Sequence, residues 1–199
     1  MLIPLGTQSI ETQRLCLRRF SREDADSIYR NWASDQLIQD AYGEPTYTDK
    51  TAVETWIDQV IQSYERNAYR WAIIECITGE CVGQIAFFLV DEKNQFCEIE
   101  YCIGRAFQRR GFAVESTRAV LDYGFTRAQF HRIQICCREK NIASKGVIEK
   151  CGFVYEGMLR DYFYRHGSFE SRLYFSLLEE DYSRYLISHI DKIRFELHT

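Results

Sequence analysis

Two acids and one loop carry the residue types and spacings that do chemistry. Glu98 and Glu100 stand two apart in a run rich in Ile, Phe and Tyr. On a strand such residues point to one face. Two carboxylates held that close resist ionising together, which raises one pKa toward neutrality and suits that group to take up a proton. The plain alternative is a solvated strand face bearing two acids. Downstream, Gln108-Arg109-Arg110-Gly111-Phe112-Ala113 leads into Val114, Leu121 and Phe125, a stripe of helical period. A helix start leaves its first four N–H groups unpaired and carries partial positive charge, so with a glycine allowing close approach it suits phosphate oxygens. Arg109 and Arg110 would add charge-assisted bonds. A simple turn with a solvated Arg-Arg edge fits the same residues. A nucleotide is the rival ligand, but neither G-x-x-x-x-G-K-[ST] nor G-x-G-x-x-G occurs here.

The elements that must position these residues follow from periodicity. Residues 14–20 alternate as a strand, and Ser21 to Asp24 offers a capping box for a helix through Trp32. A loop composition over 41–49 precedes a helix over 50–67. Three strands, 69–75, 81–90 and 96–103, form an antiparallel meander. A helix from Gly111 to about Ala128, a strand over 132–137 and a helix from Asn141 to Lys150, closed by Gly152, come next. The strand-helix-strand order implies a right-handed parallel crossover. Strands over 153–160 and 169–178 flank His166-Gly167, and a tail helix covers about 180–195. The sum is an α/β fold with a mixed sheet, a single domain over 1–199 with its core at about 11–182.

Composition narrows the class. Hydrophobic residues make up 46% of 199 and prolines number 2, so a disordered or collagen-like chain is excluded. With 25 basic against 29 acidic residues the net charge is −4, which argues against nucleic acid as a partner and favours cationic or neutral acceptors. Eight cysteines lie mostly inside apolar runs, without C-x-x-C pairs or zinc-ligand spacing, and read as reduced core thiols with no metal. Residues 1–6 lack signal-peptide character and no apolar run approaches a membrane span, so a cytoplasmic location with no membrane partner is expected.

Gln108-x-x-Gly111-x-Ala113 resembles the Q/R-x-x-G-x-G/A signature of the GNAT superfamily of N-acetyltransferases. Glu11-Thr-Gln-Arg-Leu-Cys-Leu-Arg18, Glu98-Ile-Glu-Tyr101, Asp122-Tyr-Gly-Phe125, His131-Arg-Ile133, Asn141-Ile-Ala-Ser144 and Glu149-Lys-Cys-Gly-Phe153 resemble its RimJ/RimL branch, the ribosomal-protein N-terminal acetyltransferases. So do Glu156-Gly-Met-Leu-Arg160 and Leu177-Leu-Glu-Glu-Asp-Tyr182. The resemblance implies a GNAT fold, a mostly antiparallel twisted sheet with splayed central strands flanked by helices. It implies acetyl-coenzyme A as acetyl donor, its pyrophosphate on residues 108–113 and its pantetheine arm along the backbone of Tyr101, Cys102 and Ile103. Asn141 resembles the family asparagine that contacts that arm, and equally an N-cap. Ser144 is a candidate to protonate the leaving thiolate or a packing residue of the helix start.

Acetyl transfer then assigns Glu98 or Glu100 as base, by direct transfer in a ternary complex; cysteine nucleophilic catalysis is the less favoured mechanism. The acceptor is a primary amine, on a small molecule or a protein N-terminus, and the chain a monomer or homodimer. A non-catalytic acyl-coenzyme A sensor is the reading from another class. Two departures matter. Ile148 stands where many members carry a tyrosine acid, and Glu100 stands where the branch usually has glycine. Trp32, Tyr42, Tyr69 and Trp71 are expected either to line the acceptor cleft or to be core, and His131 and His166 to be structural.

Overall fold

The structure is a computed structural model that describes residues 2–184. Eight strands form one sheet: β1 (Ile10–Glu11), β2 (Leu15–Arg18), β3 (Tyr69–Glu75), β4 (Cys81–Asp91), β5 (Phe96–Ile103), β6 (Arg132–Arg138), β7 (Val154–Arg165) and β8 (Ser168–Leu178). Their order is β1-β2-β3-β4-β5-β6-β8-β7. Every pairing is antiparallel except β5 with β6. The helices are α1 (Ala25–Ile28), α2 (Gln36–Tyr42), α3 (Lys50–Ser63), α4 (Phe112–Asp122) and α5 (Ile142–Lys150). The meander, the parallel crossover through α4 and the closing hairpin all stand where the periodicity put them. The expected tail helix is seen over residues 179–184, and its remainder lies outside the described residues. Among the described residues no helix is long and apolar enough to cross a membrane.

Three elements differ from expectation. The helix read over 21–32 is broken into a 3-10 turn (Arg22–Asp24), α1 and a π turn (Tyr29–Ala33). Its start is nevertheless fixed by the expected acid: Asp24 accepts from the Ser21 amide at 2.8 Å and from Arg18 at 2.7 Å. Helix α2 falls in what read as a connection. Asp35 caps it by accepting from the Leu37 amide at 3.0 Å, and Gly43, at φ 93°, ends it in the left-handed region where glycine is free of Cβ strain. Strand β7 runs five residues further than read, because a bulge between Leu159 and Phe163, with Asp161 at φ 52°, lets the ladder resume beyond it.

The sheet is sandwiched between two apolar layers. On one face Trp71, Ile73, Ile85, Phe87, Ile99 and Ile135 pack with α4 and α5 through Val120, Leu121 and Ile148. On the other, Ala72, Ile74 and Cys102 pack with α1 to α3 through Ile28, Val53 and Ile57. Alternation along β5 therefore sends Tyr101 to the α4/α5 face and Glu98, Glu100 and Cys102 to the α1–α3 face.

The centre of the sheet opens. Strand β5 pairs with β6 only from Phe96↔Arg132 to Ile99↔Ile135. Beyond that β5 stays with β4 as far as Ile103, whereas β6 stays with β8 as far as Arg138. Gly83 keeps β4 close to the diverging part of β5. A Cβ there would lie 2.2 Å from the Cys102 carbonyl oxygen, a main-chain atom held in the ladder. Gly83→Ala is expected to destabilise the fold by ~1–3 kcal/mol, as overpacking does. An unfolding midpoint in denaturant equal to that of the parent chain would contradict this account of the strand pair.

Candidate active site

The loop after β5 is shaped by backbone conformations that few residues tolerate. Arg109 stands at φ 60°, and Gly111 at φ 85° forms the N-cap of α4. The first helical amides, those of Phe112, Ala113 and Val114, have no acceptor among the described residues, while the Glu115 amide returns to the Gly111 carbonyl at 3.0 Å. The result is a concave set of N–H groups at a helix start, the arrangement that takes phosphate.

The two arginines divide their roles. Arg110 donates from one guanidinium nitrogen to the buried Glu75 carboxylate and lies over the Phe107 and Phe112 rings, while nearly half of its side chain stays open to solvent. It fastens the loop to β3. Arg109 is exposed at the mouth. Gln108 turns inward and donates to the Ile103 carbonyl at 3.0 Å, tying the loop to the end of β5. Residues outside the motif complete the frame. Arg14 donates to the Arg110 carbonyl at 2.9 Å and to Glu115 at 2.7 Å, and Thr12 donates to Glu115 at 2.7 Å. Glu115 also places negative charge in the first turn, where the helix dipole favours it.

Between the diverging strands the α4/α5 face holds a hydroxyl pair. The Tyr101 phenol donates to Ser144 Oγ at 3.3 Å, so the serine proton is left to point elsewhere. Burial pushes the Tyr101 phenol up to about 12, and it stays protonated through the neutral range. Asn141 Oδ1 accepts from the Ser144 amide at 3.0 Å. That is the cap expected of it, and it leaves the side-chain amide N–H groups for another partner. Main-chain alternation separates the three β5 positions. The Gly104 amide donates to the Val82 carbonyl at 2.8 Å, which directs the groups of Gly104 and Cys102 toward β4 and those of Tyr101 and Ile103 toward the gap. Cys102 thus presents no backbone to the gap. Its thiol is buried toward α1–α3, and burial pushes it up to about 12.

Glu98 and Glu100 share the opposite face, as alternation requires, and each is paired with an arginine of its own. Glu98, only 1% exposed, accepts from Gln134 at 2.7 Å and from Arg172 at 2.5 Å. Glu100 accepts from Arg70 at 2.6 Å, and Arg70 also donates to Gln84 at 2.6 Å. Each acid reaches sideways to its own arginine, because β5 has β3 beyond one neighbour and β8 beyond the other. Tyr42 of α2 joins the Glu100 cluster, its phenol held well above the ordinary value by burial and by the Glu100 charge.

The other aromatics are core. Trp71, fully buried, packs edge-on against Phe87 and Tyr123 at 5.4 and 5.5 Å on the α4 face, with Tyr69 beside it; Trp32 is 2% exposed. Of Trp32, Tyr42, Tyr69 and Trp71, Tyr42 alone is partly exposed, beside Glu100. His131 faces Glu179 at 4.0 Å, and His166 sits in the β7–β8 turn, where its Nε2 lies 3.2 Å from Asp40. All eight cysteines are free thiols; five are buried, but Cys76 is exposed. Tyr101 as a side chain, Arg14, Glu75, Glu115 and the two arginines Arg70 and Arg172 were missed from sequence. Only Tyr101 carried a local signal, since its position between Glu100 and Cys102 assigns it to the face of α5.

A gap between parted strands, an amide-lined helix start beside it and proton-carrying groups on both faces describe an acyltransferase that uses a phosphate-bearing donor. A profile of the acetyltransferase (GNAT) domain matches residues 14–154. The chain belongs to the GNAT acetyltransferase family and is an acetyl-coenzyme A-dependent acetyltransferase. The uncharacterized N-acetyltransferase p20 of Bacillus licheniformis is 32% identical over 177 residues, 88% of this chain and 99% of that one. Two solved structures share the fold. The ribosomal-protein-S5-alanine acetyltransferase of Vibrio fischeri aligns with a TM-score of 0.76 at 19% identity, over 87% of this chain and 98% of that one. The spermidine N-acetyltransferase of Vibrio cholerae, solved with CoA and spermine, aligns with a TM-score of 0.75 at 23% identity, over 86% and 99%.

The helix-start cradle predicts that Gly111→Val lowers coenzyme A affinity by about a hundredfold, since a branched side chain stands where phosphate meets several amides, each bond to a charged group being worth ~1.5–3 kcal/mol. Valine at positive φ is also strained, so some loss of stability accompanies it. Gly111→Ala imposes most of that strain with little bulk, its Cβ meeting only the flexible end of Arg14 at 3.2 Å. Calorimetry showing unchanged affinity in the valine variant would contradict the assignment.

Proposed function

We propose that this acetyltransferase acts as a RimJ/RimL-type N-acetyltransferase, moving the acetyl group directly to a primary amine, on a peptide or protein N-terminus or a small molecule, in a ternary complex. The observation that carries the reading is the Tyr101–Ser144 pair in the gap on one face of β5, with Glu100 on the other. In this reading the pyrophosphate lies on the amides of Phe112 to Val114, and the pantetheine arm runs through the gap along Tyr101 and Ile103 beside Asn141. The thioester carbonyl then emerges between the two faces.

The amine nitrogen attacks the carbonyl carbon, a C–N bond forms, and the collapsing tetrahedral species breaks the C–S bond. The thiolate takes its proton from Ser144, which is re-supplied through Tyr101. The ammonium proton leaves through Glu100, directly or by water. Glu98 is enclosed between Gln134 and Arg172 and serves to hold β5 to β6 and β8. Glu100 is the better placed of the two acids, because about a quarter of its side chain is open to solvent. The two solved neighbours named above are a spermidine N-acetyltransferase and a ribosomal-protein-S5-alanine acetyltransferase, which supports an amine acceptor.

Acetyl-coenzyme A consumption against peptides with free N-termini and small amines tests the activity, and the best acceptor then serves for variants. Ser144→Ala is expected to lower kcat by about ten- to a thousandfold with KM for acetyl-coenzyme A little changed. Glu100→Gln is expected to lower kcat by about ten- to a hundredfold with KM for acetyl-coenzyme A little changed, whereas Glu98→Gln costs stability. Full kcat in Ser144→Ala or in Glu100→Gln when chemistry limits the rate would overturn these roles.

A further inference from the structure

The β7–β8 hairpin outruns the strand it rests on. Strand β6 ends at Arg138, opposite Arg172, yet the hairpin continues from there to its turn at His166 and Gly167, both at positive φ. Its tip is therefore carried past the end of β6, where the sheet has already parted. It reaches helix α2: Arg165 donates to Asp40 Oδ1, and His166 Nε2 lies 3.2 Å from Asp40 Oδ2. These residues stand 125 and 126 positions apart in the chain. The same two bodies border β5 from opposite sides, α2 through Tyr42 beside Glu100 and the hairpin through Arg172 on Glu98.

We propose that the Asp40–Arg165/His166 tie is a strap across the acceptor side of the gap, and that it sets the width of amine the enzyme accepts. The proposal rests on the acetyl-transfer reading above. Selection by width follows from the charges. Asp40, Glu98 and Glu100 are matched by Arg165, Arg172 and Arg70, so these three acids present no unpaired carboxylate to draw a polycation. What remains to discriminate acceptors is the opening bounded by α2, the hairpin and β5. The tie joins the exposed His166 and the partly buried Asp40 and Arg165 by hydrogen bonds at the protein surface, the kind of contact that opens without unfolding the core.

The test uses three primary amines of like basicity whose bodies widen from one to the next: butylamine, cyclohexylmethylamine and adamantylmethylamine. In the parent enzyme kcat/KM is expected to fall along the series. Asp40→Ala, which cuts the tie, should raise the ratio of adamantyl to butyl activity by about tenfold or more, a size discrimination of the order that pocket shape supplies. KM for acetyl-coenzyme A should stay put. The exchanged pair, Asp40→Arg with Arg165→Asp, should bring the ratio back toward the parent value, which a merely destabilised hairpin would not do. An unchanged ratio in Asp40→Ala, with thermal unfolding showing an intact fold, would overturn the strap. If parent and variants bind acetyl-coenzyme A but acetylate no amine, the transfer reading itself fails, and the strap with it.

Discussion

Everything distinctive in this structure depends on how long β5 and β6 stay together. They are parallel neighbours for four residue pairs and then part, because each is held more firmly by its other neighbour. Strand β4 keeps β5 through Ile103, and β8 keeps β6 through Arg138. A parted pair exposes main-chain donors and acceptors that a sheet would otherwise consume, and a buried unpaired amide or carbonyl is costly. An extended, amide-bearing chain laid in the gap would satisfy them. The opening also brings the two faces of the sheet together at one place, with the Tyr101–Ser144 hydroxyl pair on the α5 side and the Glu100 carboxylate on the α1–α3 side.

Charge pairing holds the parted halves in position. Arg172 binds Glu98 across β6, Arg70 binds Glu100 across β4, and Arg110 binds Glu75 from the loop. Such pairs add little net stability, since desolvation offsets much of their attraction, but removing one partner leaves a buried charge and is expensive. Their value here is geometric. Each fixes an element that periodic apolar packing leaves free to slide: the open half of β5, the hairpin, and the phosphate loop. Arg110 shows this most directly, because its pairing with Glu75 ties the loop to β3.

Much of this was legible in the chain itself. Period-two runs located β3 to β6, a 3.6-residue stripe located α4, and Asn141 with Ser144 three residues on described the cap that the structure shows. Helix α2 was hidden because seven residues make fewer than two full turns of pattern and loop-type residues follow it. The extension of β7 was hidden by the bulge at Asp161, which breaks the alternation that identifies a strand. The ion pairs were beyond reach for a different reason. Glu98 and Arg172 are 74 residues apart, and Glu100 and Arg70 are 30 apart, so nothing local states that they touch. The period of two placed the two acids on their shared face, while the arginine that each one binds lies on another strand.

If the gap and the helix start together receive acetyl-coenzyme A, amide hydrogen exchange read residue by residue, with and without acetyl-coenzyme A, will show it. The Phe112, Ala113 and Val114 amides, which have no acceptor among the described residues, and those of Tyr101 and Ile103 on the open edge are expected to become strongly protected together on binding. The Cys102 amide, already turned to β4, should change little. Tight binding that leaves the Phe112 to Val114 and Tyr101/Ile103 amides exchanging as before would contradict it.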